Sequence, residues 1–141
     1  MLIGEYYHNL DAKGRVSIPS KFRDDLGGTF VLSKGLDNCL YAYSTKEWAG
    51  FQNELLALRG QDAQKVRRFF FSGASECEID TQGRVVLPPV FREYAGLKKE
   101  LVIIGVSNRA EIWDKEKWEK YISDSSFDSE EISSAMERLG L

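Results

Sequence analysis

An internal repeat limits what this chain can fold into more than any other feature of its sequence. Residues 11–23 recur as residues 80–92, at an offset of 69 positions, with the same Asp, Gly, Arg, Val, Pro, Phe and Arg at corresponding places. The match continues beyond this segment, with one residue inserted after Gly96, and the two copies share eleven identical residues in the same order. The later identical pairs are Gly27 and Gly96, Gly35 and Gly105, Asn38 and Asn108, and Trp48 and Trp118. This pattern indicates a tandem duplication in which each copy is one supersecondary unit.

Each copy predicts the same order of strands and short helices around an Asp-x-x-Gly-Arg turn. The predicted strands are 2–10, 15–18, 30–33 and 40–43 in the first copy, and 75–79, 84–87, 101–105 and 110–113 in the second. A short helix follows the second strand of each copy, with Pro19 and Pro88 expected near its first position. Gly27 and Gly96 suit the ends of these helices, where a left-handed backbone is favoured.

A longer helix is predicted to close each copy. Ser44 is the expected N-cap of the first, because Glu47 follows at the spacing of a capping box. The apolar residues at helical spacing behind it are Trp48, Phe51, Leu55 and Leu58. Asp114 is the expected cap of the corresponding helix, which carries Trp118.

Two further helices are predicted, one in the connector and one in the tail. Asp62 is the expected start of the first, with Val66, Phe69 and Phe70 directed inward and Lys65, Arg67 and Arg68 outward. The second is expected to start at Asp128 and Glu131 and to carry Ile132, Ala135, Met136 and Leu139. We therefore divide the chain into a first repeat (1–58), a helical connector (59–74), a second repeat (75–122) and an acidic C-terminal helix (123–141).

Neither repeat is large enough to fold well alone. A unit of about 45 residues is near the limit at which a single core buries enough surface, and its short strands would leave open edges. Both problems are relieved if the copies interlock across a pseudo-twofold axis and share one core. The expected fold class is mainly β with helices (α+β): an intertwined β-barrel of two repeats with peripheral helices.

The composition makes an enzyme improbable. The chain has one histidine, His8, which falls in a predicted strand and is expected to be an ordinary, partly exposed residue. No phosphate-binding loop or metal-ligand motif is present, so we expect no catalytic residue, metal or cofactor. Cys39 and Cys77 are interpreted as reduced, buried residues; a disulfide or metal site is the lesser alternative.

The sequence shows neither the pattern of a signal peptide nor that of a membrane span. Glu5 and His8 interrupt the segment where a signal peptide needs an apolar run. The longest apolar stretch, 101–104, is far shorter than the about 20 residues of a membrane span.

The repeated turn is where a function is most directly indicated. Asp11 can accept hydrogen bonds from nearby backbone N–H groups, and Gly14 and Gly83 can adopt positive φ. Arg15 and Arg84 then leave the turn in a fixed direction. Two interpretations stay open: the Asp and Arg of each turn pair only with each other, or the arginine binds a phosphate or the edge of guanine. Lys13 favours the second interpretation, binding to a nucleic acid. The second copy has Gln82 at this position, and the structure of the turn alone would not need an extra cation in one copy.

The acidity of the whole chain argues against strong DNA binding by one copy. The net charge is −3 and the pI about 5.3, whereas DNA-binding domains often have a pI above about 9. Before residue 111 the charge sums to +2, and from there onward to −5. Several copies that present their turns together could still bind, because multivalency raises avidity by about 10² to 10⁴.

At these motifs the sequence resembles the MraZ family of bacterial transcriptional regulators, which are built from two AbrB-like (SpoVT-AbrB) repeats. Besides both Asp-x-x-x-Arg turns, the resemblance rests on Gly4-Glu5-Tyr6, Ile18-Pro19, Arg67-Arg68-Phe69-Phe70-Phe71-Ser72-Gly73-Ala74, Arg92-Glu93-Tyr94-Ala95-Gly96-Leu97 and Glu111-Ile112-Trp113. It implies an AbrB/MazE/MraZ-like barrel and predicts Lys13, Gly14 and Arg15 as DNA-binding residues. Asp11, Asp80, Gly83 and Arg84 are predicted to structure the turns or to make secondary DNA contacts, since Gln82 departs from the family's lysine.

The resemblance also implies a function and partners. It implies a cytoplasmic, nucleoid-associated protein that forms a closed homo-oligomeric ring. Such a ring binds double-stranded DNA at direct-repeat boxes upstream of its own operon, in the division and cell-wall gene cluster, chiefly as a repressor. No membrane or small-molecule substrate is expected. The alternative is an antitoxin-like interaction module that uses the acidic tail, since AbrB-like folds also occur in antitoxins; otherwise the tail is a solvated helix that packs on the ring.

Overall fold

The two halves of the chain follow the same order of elements. The computed structural model describes all 141 residues. The first half contains β1 (Glu5–Asn9), β2 (Arg15–Ser17), α1 (Ser20–Leu26), β3 (Thr29–Lys34), a 3-10 turn (Leu36–Asn38), β4 (Leu40–Ser44), α2 (Thr45–Ala57) and α3 (Ala63–Ser72). The second contains β5 (Ala74–Glu78), β6 (Arg84–Val86), α4 (Pro89–Tyr94), β7 (Glu100–Gly105), β8 (Ala110–Asp114), α5 (Lys115–Ser123), a 3-10 turn (Ser125–Phe127) and α6 (Ser129–Arg138).

The halves exchange strands. A six-stranded antiparallel sheet has the order β1-β7-β8-β4-β3-β5, so the first strand of each half pairs with the third strand of the other. At the centre Leu40 pairs with Ile112, and Ala42 pairs with Ala110. These two pairs are related by the pseudo-twofold axis, because Leu40 corresponds to Ala110 and Ala42 to Ile112 in the other half. The remaining strands, β2 and β6, form a separate two-stranded ribbon. The predicted α+β fold with interlocked, pseudo-twofold repeats is confirmed; the pairings leave β1 and β5 as end strands, and closure into a barrel stays a prediction.

One shared core lies between the sheet and the ribbon. Because side chains alternate between the faces of a strand, Leu101 and Ile103 of β7 face this core while Val102 faces the other side. The core also contains buried residues of the ribbon and of the short helices: Val16, Val85, Phe22, Leu26, Phe91 and Ala95. Since both repeats contribute to it, neither has a core of its own.

An aromatic cluster covers the opposite face of the sheet, under α2, α3 and α5. Its buried aromatic members are Tyr41, Tyr43, Phe70, Trp113 and Trp118. Phe70 of the connector helix stands edge-on to Phe51 of α2, with ring centroids 5.1 Å apart. The connector therefore packs with its phenylalanines inward, as its helical spacing predicts.

The boundaries differ from the sequence prediction in several places. The first strand begins at Glu5 and not at residue 2, because Gly4 adopts a φ of +100°. Pro19 and Pro88 immediately precede the first helical residues as N-caps. Two residues are inserted after Gly96 and one is lost before β8, since β3 and β7 start 71 positions apart but β4 and β8 only 70. The net insertion of one residue inferred from the sequence is therefore right, but it is the sum of these two changes.

The helix caps follow the sequence only in part. Ser44 Oγ accepts a hydrogen bond of 3.1 Å from the Glu47 N–H, as predicted. Asp62, Asp114 and Asp128 are N-caps by position, but none makes a side-chain capping bond. The Asp114 carboxylate instead accepts a hydrogen bond from the Lys98 N–H at 3.1 Å.

Cys39 and Cys77 are both free and buried, as predicted. None of the helices combines the length and the apolar character that crossing a membrane requires.

Candidate nucleic-acid interface

The β2–β6 ribbon places the two repeated turns on one surface. Arg15 lies opposite Val86, and Ser17 lies opposite Arg84. The central pair, Val16 and Val85, is buried in the core, so the alternation of side chains directs these four flanking residues outward. We call these four residues the outer ribbon face. Arg15 and Arg84 are diagonal neighbours on it, a relation that places residues about 7–8 Å apart.

The first turn is held by the backbone and by one carboxylate. Oδ1 of Asp11 accepts hydrogen bonds from the N–H groups of Lys13, at 2.9 Å, and Arg15, at 2.8 Å. The Gly14 N–H donates to the Asp11 carbonyl at 3.0 Å, and Gly14 has a φ of +77°. Residues with a Cβ avoid this conformation, which explains the glycine.

The second turn repeats this geometry. Oδ1 of Asp80 accepts hydrogen bonds from the N–H groups of Gln82 and Arg84, both at 2.9 Å, and Gly83 has a φ of +79°. Only the backbone N–H of Gln82 takes part in the turn. The side chain at this position is therefore free to differ between the copies, and the architecture of the turn does not require the exposed ammonium of Lys13.

Each turn arginine pairs with the aspartate of its own turn, but through Nε. The Arg15 Nε–H donates to Oδ2 of Asp11 at 2.7 Å, and the Arg84 Nε–H donates to Oδ2 of Asp80 at 3.2 Å. The terminal amino groups of both arginines make no hydrogen bond within the chain, and both side chains are partly exposed. The ion pair therefore orients each guanidinium and leaves its outer N–H donors available to a ligand.

Two arginines that the sequence analysis did not assign to the site complete this surface. The Arg92 Nε–H donates to the Leu87 carbonyl at 2.9 Å, and its guanidinium lies against the turn of the other repeat, where a Cβ on Gly14 would be 3.1 Å from Arg92 Cζ. Arg23 donates in the same way to Ile18 and covers Gly83. The turn glycines are thus required both for positive φ and for this close approach. Arg92 adds a further cation, without an ion pair, to the turn that carries Lys13.

The signal for these arginines was present in the repeat. Arg23 and Arg92 are one of the eleven identical pairs. What the alignment of the copies could not reveal is that each arginine crosses to the other copy's turn. That crossing follows from the pairing of β2 with β6. Two further hydrogen bonds extend this pairing: the Leu87 N–H donates to the Gly14 carbonyl at 2.8 Å, and the Ile18 N–H donates to the Gly83 carbonyl at 2.9 Å.

Electrostatics support an ionised aspartate in both turns. The hydrogen bond from the Arg15 N–H is the largest cause that lowers the pKa of the Asp11 carboxyl, followed by the Arg15 side chain and the Lys13 N–H. The pKa of Asp80 is lowered in the same way, first by the Arg84 N–H. Since charged carboxylates make the stronger hydrogen bonds, both turns are most rigid when these groups are ionised.

The stability of the first turn should depend on pH. The pKa of Asp11 is lower in the folded protein than its ordinary value of 3.8. Its carboxylate therefore stabilises the turn fully at a pH above 3.8, and this stabilisation is lost as the pH falls through the folded pKa. We expect the carboxyl carbon of Asp11, followed by NMR during acid titration, to change shift below pH 3.8. In Arg15→Ala the pKa should stay partly lowered, because the backbone donor remains; an ordinary pKa in the unsubstituted protein would contradict the turn geometry.

The single histidine lies outside the ribbon. His8 is half-buried in β1, as predicted, and burial together with the nearby Arg23 charge lowers its pKa. No group of three His, Cys, Asp or Glu side chains lies where it could hold a metal ion.

Comparisons with known proteins agree with this organisation. The family described as "MraZ protein, putative antitoxin-like" matches twice, over residues 1–69 and 70–139. The Transcriptional regulator MraZ of Caldicellulosiruptor saccharolyticus is 54% identical over 143 aligned positions, and that of Acetivibrio thermocellus 53%, each covering 100% of both chains. The solution structure of PHS018 from Pyrococcus horikoshii aligns with 79% of this chain and 88% of its own, at 15% identity and a TM-score of 0.32, too low to define a common fold.

Proposed function

The chain belongs to the MraZ family of transcriptional regulators, and from this premise we propose that it binds specific DNA sequences through the outer ribbon face. The family resemblance inferred from the sequence is confirmed, because relatives match over the whole chain. The expectation that the chain is not an enzyme is confirmed as well, since these relatives are regulators.

The observation that carries the proposal is the pair of arginines on the outer ribbon face. Arg15 and Arg84 lie on one exposed surface with free terminal N–H donors. A guanidinium binds a phosphate, or O6 and N7 of guanine, through two parallel hydrogen bonds. A two-stranded ribbon is one of the elements that the major groove of B-DNA admits. Val86, 54% exposed and directly opposite Arg15, offers an apolar contact of the kind that a thymine methyl group accepts.

The acidity of the chain does not oppose this surface, because the excess of negative charge belongs to the C-terminal part of the chain. The net charge is +2 before residue 111 and −5 from there onward. At the first turn, Lys13, Arg15 and Arg92 converge, with Asp11 as the counter-charge that orients Arg15. We therefore assign DNA contact to Lys13 and Arg15, with Gly14 providing the backbone conformation.

The second turn has a supporting part in the proposal. Asp11, Asp80 and Gly83 hold the two turns, and Arg84 makes the secondary DNA contact, since its turn carries Gln82 instead of a lysine. The division into repeats 1–58 and 75–122, a connector and an acidic helix belongs to the same proposal.

One copy presents too few cations to bind tightly, so we propose a homo-oligomer. Affinity for DNA depends on the number of phosphates that are neutralised. Head-to-tail contacts between copies generate a ring when the rotation closes, and each copy then presents its ribbon with the same polarity. Such an assembly would contact direct repeats about 10 to 10.5 base pairs apart. We propose that it acts in the cytoplasm, on the nucleoid, as a repressor that occupies repeats upstream of its own division and cell-wall operon.

Footprinting of the purified protein on DNA from upstream of its own gene tests this function. We expect protected segments at intervals of about 10 to 10.5 base pairs. Between 50 and 200 mM salt the affinity should fall by about 10³-fold or more, as it does when six or more phosphates are contacted. Sequence-specific binding would be refuted if a scrambled sequence of the same composition were protected equally, or if no segment of the upstream DNA were protected.

A further inference from the structure

The C-terminal helix α6 is largely exposed, and within its own chain it packs mainly on the preceding 3-10 turn, Ser125–Phe127. None of its residues is buried, and Ile132 and Met136 are 40% and 44% exposed. No hydrogen bond or ion pair joins it to α2 or α3; its one ion pair, between Arg138 and Glu131, lies within the C-terminal segment. Its apolar stripe consists of Ile132, Ala135, Met136 and Leu139, which recur at helical spacing on one side.

The pseudo-twofold fold makes α6 the counterpart of α3. Each is ten residues long, and each follows the preceding helix after five residues, 58–62 and 124–128. In the first half α3 packs on the aromatic cluster and buries Phe70. In the second half the corresponding helix leaves its apolar side uncovered.

A helix of this length needs a partner to stay folded. Isolated helices shorter than about 12–15 residues are marginal in water, and packing of an amphipathic face supplies most helical stability in proteins. Residues 129–138 form a complete α-helix, yet none of its apolar residues is buried within the chain, and Leu139 is 78% exposed. Further cover for this stripe would have to come from another molecule.

The charges identify a matching surface on the chain itself. Residues 124–138 contain five acidic side chains and one basic. The end of α2, the loop after it and all of α3, residues 55–72, contain four basic side chains and one acidic, and Leu56 and Leu58 are exposed among them. We call this surface the docking hairpin, with Leu56, Leu58, Arg59, Lys65, Arg67 and Arg68 as its members.

We propose that α6 of one copy docks its apolar stripe on the docking hairpin of a second copy. An amphipathic helix in a complementary groove is a common recognition mode, and here the acidic flanks of α6 would face the lysine and arginines of the hairpin. The two surfaces differ, so the contact can run head-to-tail and repeat with each added copy. This inference rests on the oligomer of the proposed function and identifies one of its interfaces.

Two single substitutions, one on each surface, test the contact. Ile132→Asp places a charge in the stripe, and Leu56→Asp places one in the hairpin; both positions are exposed, so both variants should fold, as circular dichroism would verify. By light scattering after size exclusion, we expect each to have the mass of one protomer, 16.0 kDa, where the unsubstituted protein forms larger assemblies. Ser134→Asp, which adds the same charge on the other side of α6, is the matched control and should assemble normally.

Mixing the two variants gives the sharper result. The Leu56→Asp copy keeps an intact α6, and the Ile132→Asp copy keeps an intact hairpin, so an equimolar mixture should form a heterodimer of twice the protomer mass and nothing larger. Normal assembly of Ile132→Asp overturns the inference and leaves DNA binding through Arg15 untouched. Two monomeric variants that do not combine also overturn it, since α6 would then bind another surface or another protein. A monomeric unsubstituted protein would refute the oligomer of the proposed function itself.

Discussion

Replacing Arg15 by alanine is expected to remove most of the affinity for operator DNA and to leave the fold intact. The side chain donates only to Asp11, through Nε, and lies on the outer ribbon face. The expected loss is about 1–3 kcal/mol for each engaged copy, roughly 5- to 150-fold. Because several copies bind one operator, these factors multiply, and specific retention in a gel shift should disappear at concentrations that saturate the unsubstituted protein.

The comparison variants separate this effect from a general loss of charge. Lys46→Ala removes a cation from α2, which packs on the face of the sheet opposite to the ribbon, and should leave the affinity nearly unchanged. Arg92→Ala, which uncovers Gly14, should weaken binding less than Arg15→Ala because the Arg92 guanidinium packs against Gly14. Circular dichroism and light scattering must show folded, fully assembled protein in each case. Unchanged DNA affinity of such an Arg15→Ala preparation would refute the proposed interface.

Replacing Phe30 by alanine is expected to destabilise both repeats together. Phe30 is 0% exposed, lies in the shared core, and faces Cys77 of β5, which belongs to the other half. Truncation of a buried phenylalanine costs about 3–5 kcal/mol. For a chain of this length the melting temperature should fall by about 10–20 °C. Since the halves share one core, thermal unfolding should remain a single transition.

Calorimetry at one fixed protomer concentration measures this, because assembly makes the melting temperature depend on concentration. Leu36→Ala, on an exposed loop, is the control and should change the stability by no more than about 0.5 kcal/mol. Two separated transitions, with one at the original temperature, would show that the repeats unfold independently and would contradict the interlocked core.

Much of the local structure was predictable because its causes are local. The Asp11 and Asp80 turns follow from a carboxylate that caps nearby N–H groups and from a glycine that tolerates positive φ. The cap at Ser44 follows from the spacing to Glu47. Interlocking itself was predictable from size, since about 45 residues cannot bury a sufficient core.

Other features depend on contacts between residues far apart in the chain. The separate interpretation of the two turns missed that Arg15 and Arg84 are diagonal neighbours, because that relation requires the β2–β6 register. Leu58 was predicted on the apolar side of α2 but lies beyond the end of the helix and is exposed. The stripe of α6 was predicted correctly as a pattern, yet a pattern cannot specify whether its partner lies in the same chain.

By itself, the sequence determined the duplication, the order of the elements and the chemistry of each turn, since these depend on neighbouring residues and on the size of one repeat. Only the tertiary structure decided that the ribbon pairs one copy with the other. That pairing brings Arg92 to the turn of the first copy, and the packing of the helices leaves α6 largely exposed. The reason is that strand register and helix packing are set by the burial of side chains distant in the chain, which no local pattern encodes.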